Sequence, residues 1–372
     1  MIAPGRAKSV EDWSPKKVGV TIRFDERGVR LSRTASFLGI DGRTLQEPCV
    51  SADEIVALVA PRLAEVERLF RANLASPLAI VDEIGGFVAG GGGKRVRPTL
   101  HLLSADLCGY QGSFDVLLAT VLEFIHSATL IHDDVIDGAA TRRGRPSANH
   151  RWGNTITVLF GDYLYAKAME LALRAGSLRV MDRLAWITLR MTEGEMLQTR
   201  YVGRLDLTVE EYLGLIERKT AVLFGGCCEI AGILAGASEQ AQEHLRRYGL
   251  HIGFAFQIVD DLLDFTGDPA ILGKPIASDL REGKATLPVL DLIAGGNERG
   301  SALASAVAAG TSAEGDSAEL TSLLERSGAI ERAQARAREH ADLAVGQLDA
   351  FPDGPARRAL ASVPDLLITR SR

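Results

Sequence analysis

The sequence has few of the features that mark thiolate-metal, secreted or nucleic-acid-binding proteins. Only four of its 372 residues are cysteine, and their spacings match neither a zinc site nor a disulfide framework. The formal net charge of −6 at pH 7 gives no indication of nucleic-acid binding. No apolar run reaches the roughly 18 residues that span a membrane, and no signal-peptide stretch is evident. We therefore expect a cytoplasmic protein with no transmembrane segment and no nucleic-acid partner.

Strand patterns are also scarce after residue 50, where apolar residues recur with helical spacing. Ser51 and Glu54 form a capping-box pattern that begins the first helix, which Pro61 is expected to kink or restart. The stretch 295–316 is rich in glycine, alanine and serine, and it is interpreted as a surface connection. We predict an all-α domain over 51–372, with helices at 51–75, 77–89, 96–108, 114–138, 154–175, 178–200, 208–235, 238–266, 285–295, 317–349 and 354–368.

Residues 1–50 differ from this pattern and form an N-terminal extension. Val18, Val20, Ile22 and Phe24 alternate with polar residues, and Asp25–Gly28 are suitable for a turn. The extension is therefore interpreted as either a small hairpin or a partly disordered segment. It carries no residue pattern to which we assign chemistry.

Two carboxylates one helical turn apart interrupt an apolar helical stretch at 122–146, LEFIHSATLIHDDVIDGAATRRGRP. Asp133 and Asp137 lie on one face of this helix, with Asp134 beside the first and His126 two turns back. Like charges at this spacing destabilise a bare helix by a few tenths of a kcal/mol, about 0.2–0.5. The pattern indicates either a solvated acidic face or a cation between the carboxylates. Hard oxygen ligands without cysteine favour Mg²⁺, which binds one or two carboxylates together with substrate phosphates.

A second copy of the spacing decides between these readings. Residues 254–268, FAFQIVDDLLDFTGD, place Asp260, Asp261 and Asp264 in another largely apolar helix. A charge in such a helix is costly unless it is paired or bound to a metal. Two clusters of the form DDxxD therefore predict two metal-binding carboxylate groups rather than one solvated surface.

Three loops rich in glycine or basic residues accompany the clusters. The first, GGGGKRVRP at 90–98, precedes a helix whose N-terminus favours an anion. It is not a P-loop, because Lys94 is not followed by Ser or Thr. The second, TRRGRP at 141–146, follows the first cluster, and the third, 273–284, follows the second. The first loop alone is equally consistent with a flexible turn and solvated bases. Bases that follow acids twice, however, suit a polyanion bridged by metal ions.

These residues together resemble the trans-isoprenyl diphosphate synthase family. The matching motifs are GGGGKRVRP (90–98), EFIHSATLIHDDVIDGAATRRGRPS (123–147), GDYLYAKA (161–168), GEMLQ (194–198), KT (219–220), FQIVDDLLD (256–264) and GKPIASDLREGKATLP (273–288). The resemblance implies a single all-α helical bundle of the isoprenoid synthase type. Its aspartate clusters would face each other across a central cavity, and the protein would usually be a homodimer. The implied reaction is head-to-tail condensation of isopentenyl diphosphate with an allylic diphosphate, using Mg²⁺, with Mn²⁺ as a possible substitute.

The resemblance also implies roles for individual residues. Asp133, Asp137 and Asp260 would hold the metal ions, supported by Asp134, Asp261 and Asp264. The set for the allylic diphosphate would be Arg142, Lys219, Thr220, Gln257, Lys274 and Lys284. The set for isopentenyl diphosphate would be Lys94, Arg97, His126 and Arg143. Of these residues, Asp133, Asp137, Asp260, Lys219 and Lys274 would take part directly in catalysis. One departure is Ala277, where the family commonly has glycine.

Product length is predicted from the helix ahead of Asp133. A growing tail would pass the face that carries Leu122, Ile125 and Thr129, with Ala128 alongside. Family members that stop at short chains have large aromatic residues four or five positions before the first aspartate, whereas Ala128 and Thr129 are small. We therefore expect a long-chain product, with geranylgeranyl or farnesyl diphosphate as the alternative.

Two readings of other classes compete with this one. A non-catalytic partner subunit of a heteromeric synthase tends to lack one acid cluster, and a terpene cyclase usually keeps one DDxxD and lacks the Lys94 and Arg97 pair. Both clusters and both bases are present here. Product analysis of purified protein with labelled isopentenyl diphosphate and each allylic primer would separate these readings.

Overall fold

The computed structural model describes residues 19–25, 28–34, 50–142, 144–268 and 275–369. The extension forms an antiparallel hairpin of β1 (Gly19–Asp25) and β2 (Gly28–Thr34), in which Gly19 pairs with Thr34 and Asp25 with Gly28. A second, two-residue pair follows the first aspartate cluster, β3 (Thr141–Arg142) with β4 (Arg145–Pro146). The rest of the described chain consists of helices and loops.

The helices follow the predicted order from Ser51 onward. The α-helices are α1 (Ala52–Leu74), α2 (Ala79–Ala89), α3 (Val96–Leu107), α4 (Phe114–Ile136), α5 (Ala148–Trp152), α6 (Asn154–Leu173), α7 (Leu178–Tyr201), α8 (Val209–Ile216), α9 (Val222–Leu234), α10 (Glu239–Thr266), α11 (Ser278–Arg281), α12 (Leu287–Ala294), α13 (Glu298–Ala308), α14 (Asp316–Arg326), α15 (Ala329–Gln347) and α16 (Pro355–Ile368). A π-helical turn (Glu217–Ala221) joins α8 to α9, and a 3₁₀ turn (Leu348–Ala350) follows α15. The fold is therefore all-α, as predicted.

The capping box at the start of α1 is confirmed. The Ser51 hydroxyl accepts a hydrogen bond from the Glu54 backbone N–H at 3.3 Å, and the Glu54 carboxylate accepts one from the Ser51 N–H at 2.8 Å. The helix continues through Pro61 without restarting. Of the two predicted alternatives, the restart is therefore wrong, and the kink stays a prediction.

Two other predicted boundaries need correction. The stretch 295–316 is not only a connection, because Asn297 caps α13 within it by accepting from the Gly300 N–H. The predicted helix 317–349 is divided into α14 and α15 at Gly328, which has φ 74°. Glycine adopts this left-handed backbone without the steric cost of a Cβ, so the chain changes direction there.

The core has three buried parts that together position the aspartate-bearing helices. The first lies between α4, α6, α7 and α9 and includes Leu122, Ile125 and Ala128. The second surrounds the C-terminal half of α10 with α8 and α12–α15, and the third packs α1, α3 and α16 against the N-terminal half of α10. Helices α4 and α10 therefore hold the two clusters on a rigid scaffold.

Helix α4 is both long and apolar, and it qualifies the expectation about long apolar runs. By length and hydropathy α4 is able to cross a membrane, but 72% of the apolar window is buried inside the fold. A core helix passes the same compositional test as a membrane span. The packing of α1, α3 and α6 around α4 accounts for its composition.

Candidate active site

The first aspartate cluster lies at the C-terminal end of α4. Asp133 and Asp134 belong to the last turn, and Asp137 caps the helix with its N–H donating to the Asp133 carbonyl at 2.8 Å. Asp134 is buried and receives a hydrogen bond from Arg142 Nε. Asp137 pairs with Lys284 Nζ at 2.9 Å. Two bases that were predicted to bind diphosphate therefore lie directly against this cluster.

Asp133 carries the clearest electrostatic signature in the cluster. Burial raises the pKa of this carboxyl to about 7, although the positive charge of Lys219 opposes the shift. Its Oδ1 atom is buried and has no hydrogen-bond partner among the described residues. A cation placed at this oxygen would offset the cost of burying the charge.

The second cluster lies in the last turns of α10. Asp261 is 4% exposed, and both of its oxygens accept hydrogen bonds: Oδ2 from the Tyr212 hydroxyl at 2.6 Å and Oδ1 from Gln257 Nε2 at 2.8 Å. Asp264 accepts from the Asp279 backbone N–H at 3.1 Å. Burial, followed by the negative charge of Asp279, raises the pKa of Asp261 to about 8, against the effect of its two donors. Within the described chain, both donors to Asp261 are therefore neutral groups.

The π-helical turn between α8 and α9 lies between the two clusters. It carries Lys219, whose charge acts on Asp133, and Thr220, whose hydroxyl donates to Gln257 Oε1 at 2.8 Å. Lys219 Nζ also pairs with Glu195 Oε1 at 2.6 Å. A Cβ at Gly194 would lie 2.6 Å from the Lys219 backbone nitrogen, so this close approach of α7 requires glycine.

The segment after α10 connects the second cluster to the first. The Ala277 N–H donates to the Asp264 carbonyl at 2.9 Å, which folds the segment back along α10. Lys284 then reaches Asp137, and the carboxylates of Glu282 and Asp137 raise the pKa of its ammonium even though burial opposes the shift. Ala277 has φ 59° and ψ 36°, a left-handed conformation that explains why the family prefers glycine there.

The predicted isopentenyl diphosphate residues lie around the glycine loop. His126 on α4 lines a cavity of about 90 Å³ together with Gly91, Gly92, Arg142 and Arg145. Lys94 is exposed in the loop. Arg97 is half-buried in the first turn of α3, with its guanidinium 4.4 Å from the centre of the Phe224 ring. The glycine loop, His126 and the arginine-rich hairpin therefore share one wall of the site.

Two predicted ligands, Arg143 and Lys274, lie outside the described residues. The predicted tail-binding residues Leu122, Ile125 and Ala128 are fully buried in the first part of the core, whereas Thr129 is half-buried and bonds the His126 carbonyl at 2.8 Å. Side chains would have to part for a tail to pass this face. The role of these four residues in product length stays a prediction.

Sequence reasoning missed several residues that shape the site. Glu195, Tyr212 and Asp279 contact predicted ligands or their neighbours, and of these only Tyr212 stands outside the quoted motifs. An acid beside a glycine that permits close helix packing was the one available signal for Glu195. Tyr212 lies in a stretch whose composition gives no sign of a partner, and the motif that contains Asp279 does not indicate its contact with Asp264.

The donor set is suitable for Mg²⁺, although the carboxylates do not form a closed cage. Six aspartates supply only oxygen ligands, and Asp133 Oδ1 is buried without a hydrogen bond from the described residues. Within the described ranges, no group of three acidic, histidine or cysteine side chains is arranged to hold a metal ion by itself. Mg²⁺ commonly binds one or two carboxylates and completes its shell with water and substrate phosphate oxygens. The arrangement therefore fits a metal ion that is held jointly with a diphosphate.

Comparison with known proteins shows the family. The polyprenyl synthetase family profile matches residues 79–324. The octaprenyl diphosphate synthase of Escherichia coli is 37% identical over 327 residues, covering 87% of this chain and all of that protein. A Caulobacter crescentus polyprenyl synthase, solved with calcium and isoprenyl diphosphate, is 36% identical and covers 88% of this chain and all of its own, with a TM-score of 0.83. A Rhodobacter capsulatus decaprenyl diphosphate synthase is 40% identical with a TM-score of 0.81, covering 86% of this chain and 99% of its own. The chain therefore belongs to the polyprenyl synthetase family.

Proposed function

We propose that this protein is a prenyltransferase that condenses isopentenyl diphosphate head-to-tail with an allylic diphosphate to give an all-trans polyprenyl diphosphate. The observation that carries the proposal is the arrangement of the two aspartate clusters around one π-helical turn. Lys219 in this turn acts on Asp133, and Thr220 beside it connects through Gln257 to Asp261. Acids and bases thus converge where a diphosphate with its metal ions would bind.

The reaction requires a departing diphosphate to be stabilised and a carbocation to be protected from water. Bound Mg²⁺, held by Asp133, Asp137 and Asp260 with Mn²⁺ as a possible substitute, would supply positive charge to the leaving group. Lys219 and Arg142 would donate charge-assisted hydrogen bonds to the same diphosphate as the allylic C–O bond breaks. The double bond of isopentenyl diphosphate then attacks the allylic carbon, and the proton lost from the adduct passes to the released diphosphate.

The second diphosphate would bind beside the glycine loop. Lys94, Arg97 and His126 present basic groups near the start of α3 and on α4, where a helix N-terminus also favours an anion. Separate sets of basic residues for the two diphosphates would let two substrates with the same head group take different roles.

Product length is the finer part of the proposal. The named relatives include octaprenyl and nonaprenyl synthases, and also a geranylgeranyl diphosphate synthase of Saccharolobus solfataricus that is 34% identical. Small residues at 128 and 129 support a long-chain product, because they place no bulk near Asp133. Geranylgeranyl diphosphate is the second candidate, supported by the complete burial of Leu122, Ile125 and Ala128.

Product analysis tests both levels of the proposal. Purified protein, Mg²⁺, labelled isopentenyl diphosphate and farnesyl diphosphate should give polyprenyl products with more than twenty carbons. Ala128→Phe should shorten them while condensation continues, because the ring fills the wall without touching the aspartates. Ala128 is fully buried, so the same change should also lower the free energy of unfolding by about 1–3 kcal/mol. Absence of any condensation would contradict the prenyltransferase proposal, whereas an unchanged product length in Ala128→Phe would contradict only the tail-binding face.

A homodimer is also proposed, through the outward faces of α6 and α7. Large apolar side chains on these helices are exposed: Leu159 58%, Leu173 61%, Leu178 86%, Leu189 58% and Met196 70%. Leu159, Ala166 and Leu173 recur every seven residues, as do Leu189 and Met196, a spacing typical of helix pairing. The 20 residues of α6 extend about 30 Å, long enough for a standard interface with a second copy.

Light scattering distinguishes this dimer from the heteromeric alternative. One relative is described as component 2 of the heptaprenyl diphosphate synthase of Geobacillus stearothermophilus. The pure protein should be a dimer with activity, and Leu189→Glu should shift it to a monomer. An inactive monomer that gains activity only with a second protein would contradict the homodimer.

A cytoplasmic location is likewise a proposal, supported by the free thiols of Cys108, Cys227 and Cys228.

A further inference from the structure

A continuous chain of hydrogen bonds connects the second aspartate cluster to the π-helical turn. The Thr220 hydroxyl donates to Gln257 Oε1 at 2.8 Å, Gln257 Nε2 donates to Asp261 Oδ1 at 2.8 Å, and the Tyr212 hydroxyl donates to Asp261 Oδ2 at 2.6 Å. Every donor in the chain points toward the Asp261 carboxylate. The Gln257 amide has only one orientation that satisfies both of its neighbours.

The π-helical turn brings both ends of this chain onto α10. Tyr212 and Thr220 are eight residues apart, which in a regular α-helix would place them about 80° apart around the axis. The wider π turn at 217–221 takes up one extra residue, so the two side chains lie on nearly the same face. Gln257 and Asp261 are one turn apart on α10 and oppose them. This chain of side-chain hydrogen bonds thus joins α8 and the π-helical turn to α10.

Tyr212 is buried and contacts the second cluster through its hydroxyl. The side chain is 2% exposed, and its hydroxyl donates to Asp261, which is 4% exposed. The negative charges of Asp279 and Asp260 both repel the Asp261 carboxylate. Without a fixed hydrogen-bond donor, this carboxylate would turn away from them. A buried hydrogen bond from a neutral donor to a carboxylate is among the stronger kinds in proteins and fixes the carboxylate plane.

We propose that Tyr212 is a positioning residue that, through Asp261 and Gln257, holds the second aspartate cluster against the turn that carries Lys219 and Thr220. This inference rests on the proposed function and deepens it, because it makes metal binding and allylic diphosphate binding mutually dependent. Tyr212 orients Asp261, and Asp261 fixes Gln257 and Thr220 beside Lys219. Loss of the hydroxyl should therefore weaken the metal site and the allylic site together and leave the isopentenyl site unchanged.

The structure offers a matched control for removing this hydroxyl. Tyr248 lies on α10, the helix that carries Asp261, and is fully buried. Its hydroxyl donates to the Leu360 carbonyl at 2.8 Å in the third part of the core. Tyr248→Phe therefore removes one buried hydrogen bond of similar length without touching the aspartates. Comparison with Tyr212→Phe separates a general loss of stability from a specific loss of positioning.

The primary test measures Mn²⁺ binding by electron paramagnetic resonance in the presence of inorganic pyrophosphate, without turnover. Tyr212→Phe should raise the Mn²⁺ dissociation constant about tenfold relative to Tyr248→Phe, the effect expected from one charge-assisted hydrogen bond. Equal dissociation constants in the two variants would overturn the inference. Failure of the wild-type protein to bind Mn²⁺ with pyrophosphate would instead contradict the proposed function.

Steady-state kinetics provide a second readout. Tyr212→Phe should raise KM for the allylic diphosphate and the Mg²⁺ concentration for half-maximal rate, with KM for isopentenyl diphosphate unchanged. Thr220→Val, at the other end of the chain, should raise the Mn²⁺ dissociation constant in the same direction and remains informative if Tyr212→Phe folds poorly. The effects of the two changes should be less than additive in the double variant. Full additivity, or equal changes in both KM values, would overturn the coupling.

Discussion

The two aspartate clusters have the same sequence spacing but differ in what surrounds them. The first, at the end of α4, is paired with charged side chains from loops: Arg142 at Asp134 and Lys284 at Asp137. In the second, within α10, Asp261 receives hydrogen bonds in the described chain from two neutral groups on the scaffold, the Tyr212 hydroxyl and the Gln257 amide. The middle aspartates of the two motifs, Asp134 and Asp261, are thus given different electrostatic environments by the surrounding fold.

This difference indicates a division of work between the clusters. A long basic side chain such as Arg142 or Lys284 can leave a carboxylate and bind a phosphate with little change in the backbone. Partners that are buried and neutral fix the carboxylate direction at all times. We therefore interpret Asp261 as the more rigidly held carboxylate, and Asp134 and Asp137 as carboxylates that adjust when substrate binds.

The largest expected effect comes from removing one carboxylate of either cluster. Asp133→Ala or Asp260→Ala should lower the turnover rate at least about 1,000-fold, because charge stabilisation of the leaving diphosphate is lost. Neither variant should unfold, since Asp133 contributes a costly buried charge. Thermal melts check the fold beside the rate measurement. A loss of turnover that appears only together with a loss of folding would contradict this explanation.

The next effect separates the two diphosphate sites. Arg97→Ala should raise KM for isopentenyl diphosphate about tenfold, and Lys219→Ala should do the same for the allylic diphosphate, as loss of a charge-assisted hydrogen bond predicts. Arg299→Ala is the control, because Arg299 pairs with Glu319 on the exposed surface. Equal changes in both KM values for both variants would contradict separate sites.

A smaller effect is expected in the pH dependence of stability. The folded-state pKa values of Asp133 and Asp261, about 7 and about 8, lie above the ordinary value of 3.8. Between the ordinary pKa and these raised pKa values, the folded protein therefore binds more protons than the unfolded chain. Its free energy of unfolding should fall as pH rises from about 4 to 8. Metal-free protein should melt at a lower temperature at pH 8 than at pH 5.5.

The Asp133→Asn variant provides the control for this pH dependence, because other groups titrate over the same range. Its melting temperature should change less with pH than that of the wild type. Mg²⁺ with pyrophosphate should raise the wild-type melting temperature more at pH 8 than at pH 5.5, since ionised carboxylates bind the metal. A steeper pH dependence in Asp133→Asn would show that the buried carboxyl has the opposite effect.

The smallest effect is expected at Ala277, which shapes the segment after the second cluster. Its left-handed backbone costs about 1–2 kcal/mol for a residue with a Cβ, but glycine there would lose a buried methyl worth about 0.8 kcal/mol. Ala277→Gly should therefore change the free energy of unfolding by less than about 1 kcal/mol in denaturant melts. Ala277→Val should lower it by more, because a branched Cβ disfavours this conformation. Equal stability of the valine variant would exclude backbone strain at this position.

Much of the fold could be predicted because its signals are local. Helical periodicity and the Ser51 capping box depend on residues within a few positions of one another, and the repeated DDxxD spacing identified both clusters. The division at Gly328 and the helix at 298–308 were missed, because a Gly- and Ser-rich composition suits both a loop and a short helix whose packing decides its state.

The rest of the site depends on contacts between residues far apart in sequence. Tyr212 meets Asp261 only because α8 packs on α10, and Glu195 meets Lys219 only because Gly194 allows α7 to approach the π turn. The π turn itself has no strong sequence signature. Such pairings follow from tertiary packing, which spacing along one chain does not encode.

The most direct test of the account is the Mg²⁺ dependence of product formation in three proteins: the wild type, Asp133→Asn and Asp260→Asn. These changes keep the side-chain shape and remove one charge from each cluster in turn. The account predicts that both variants fold as the wild type does and form no product at any Mg²⁺ concentration. Normal turnover with wild-type Mg²⁺ dependence in either variant would contradict joint action of the two clusters.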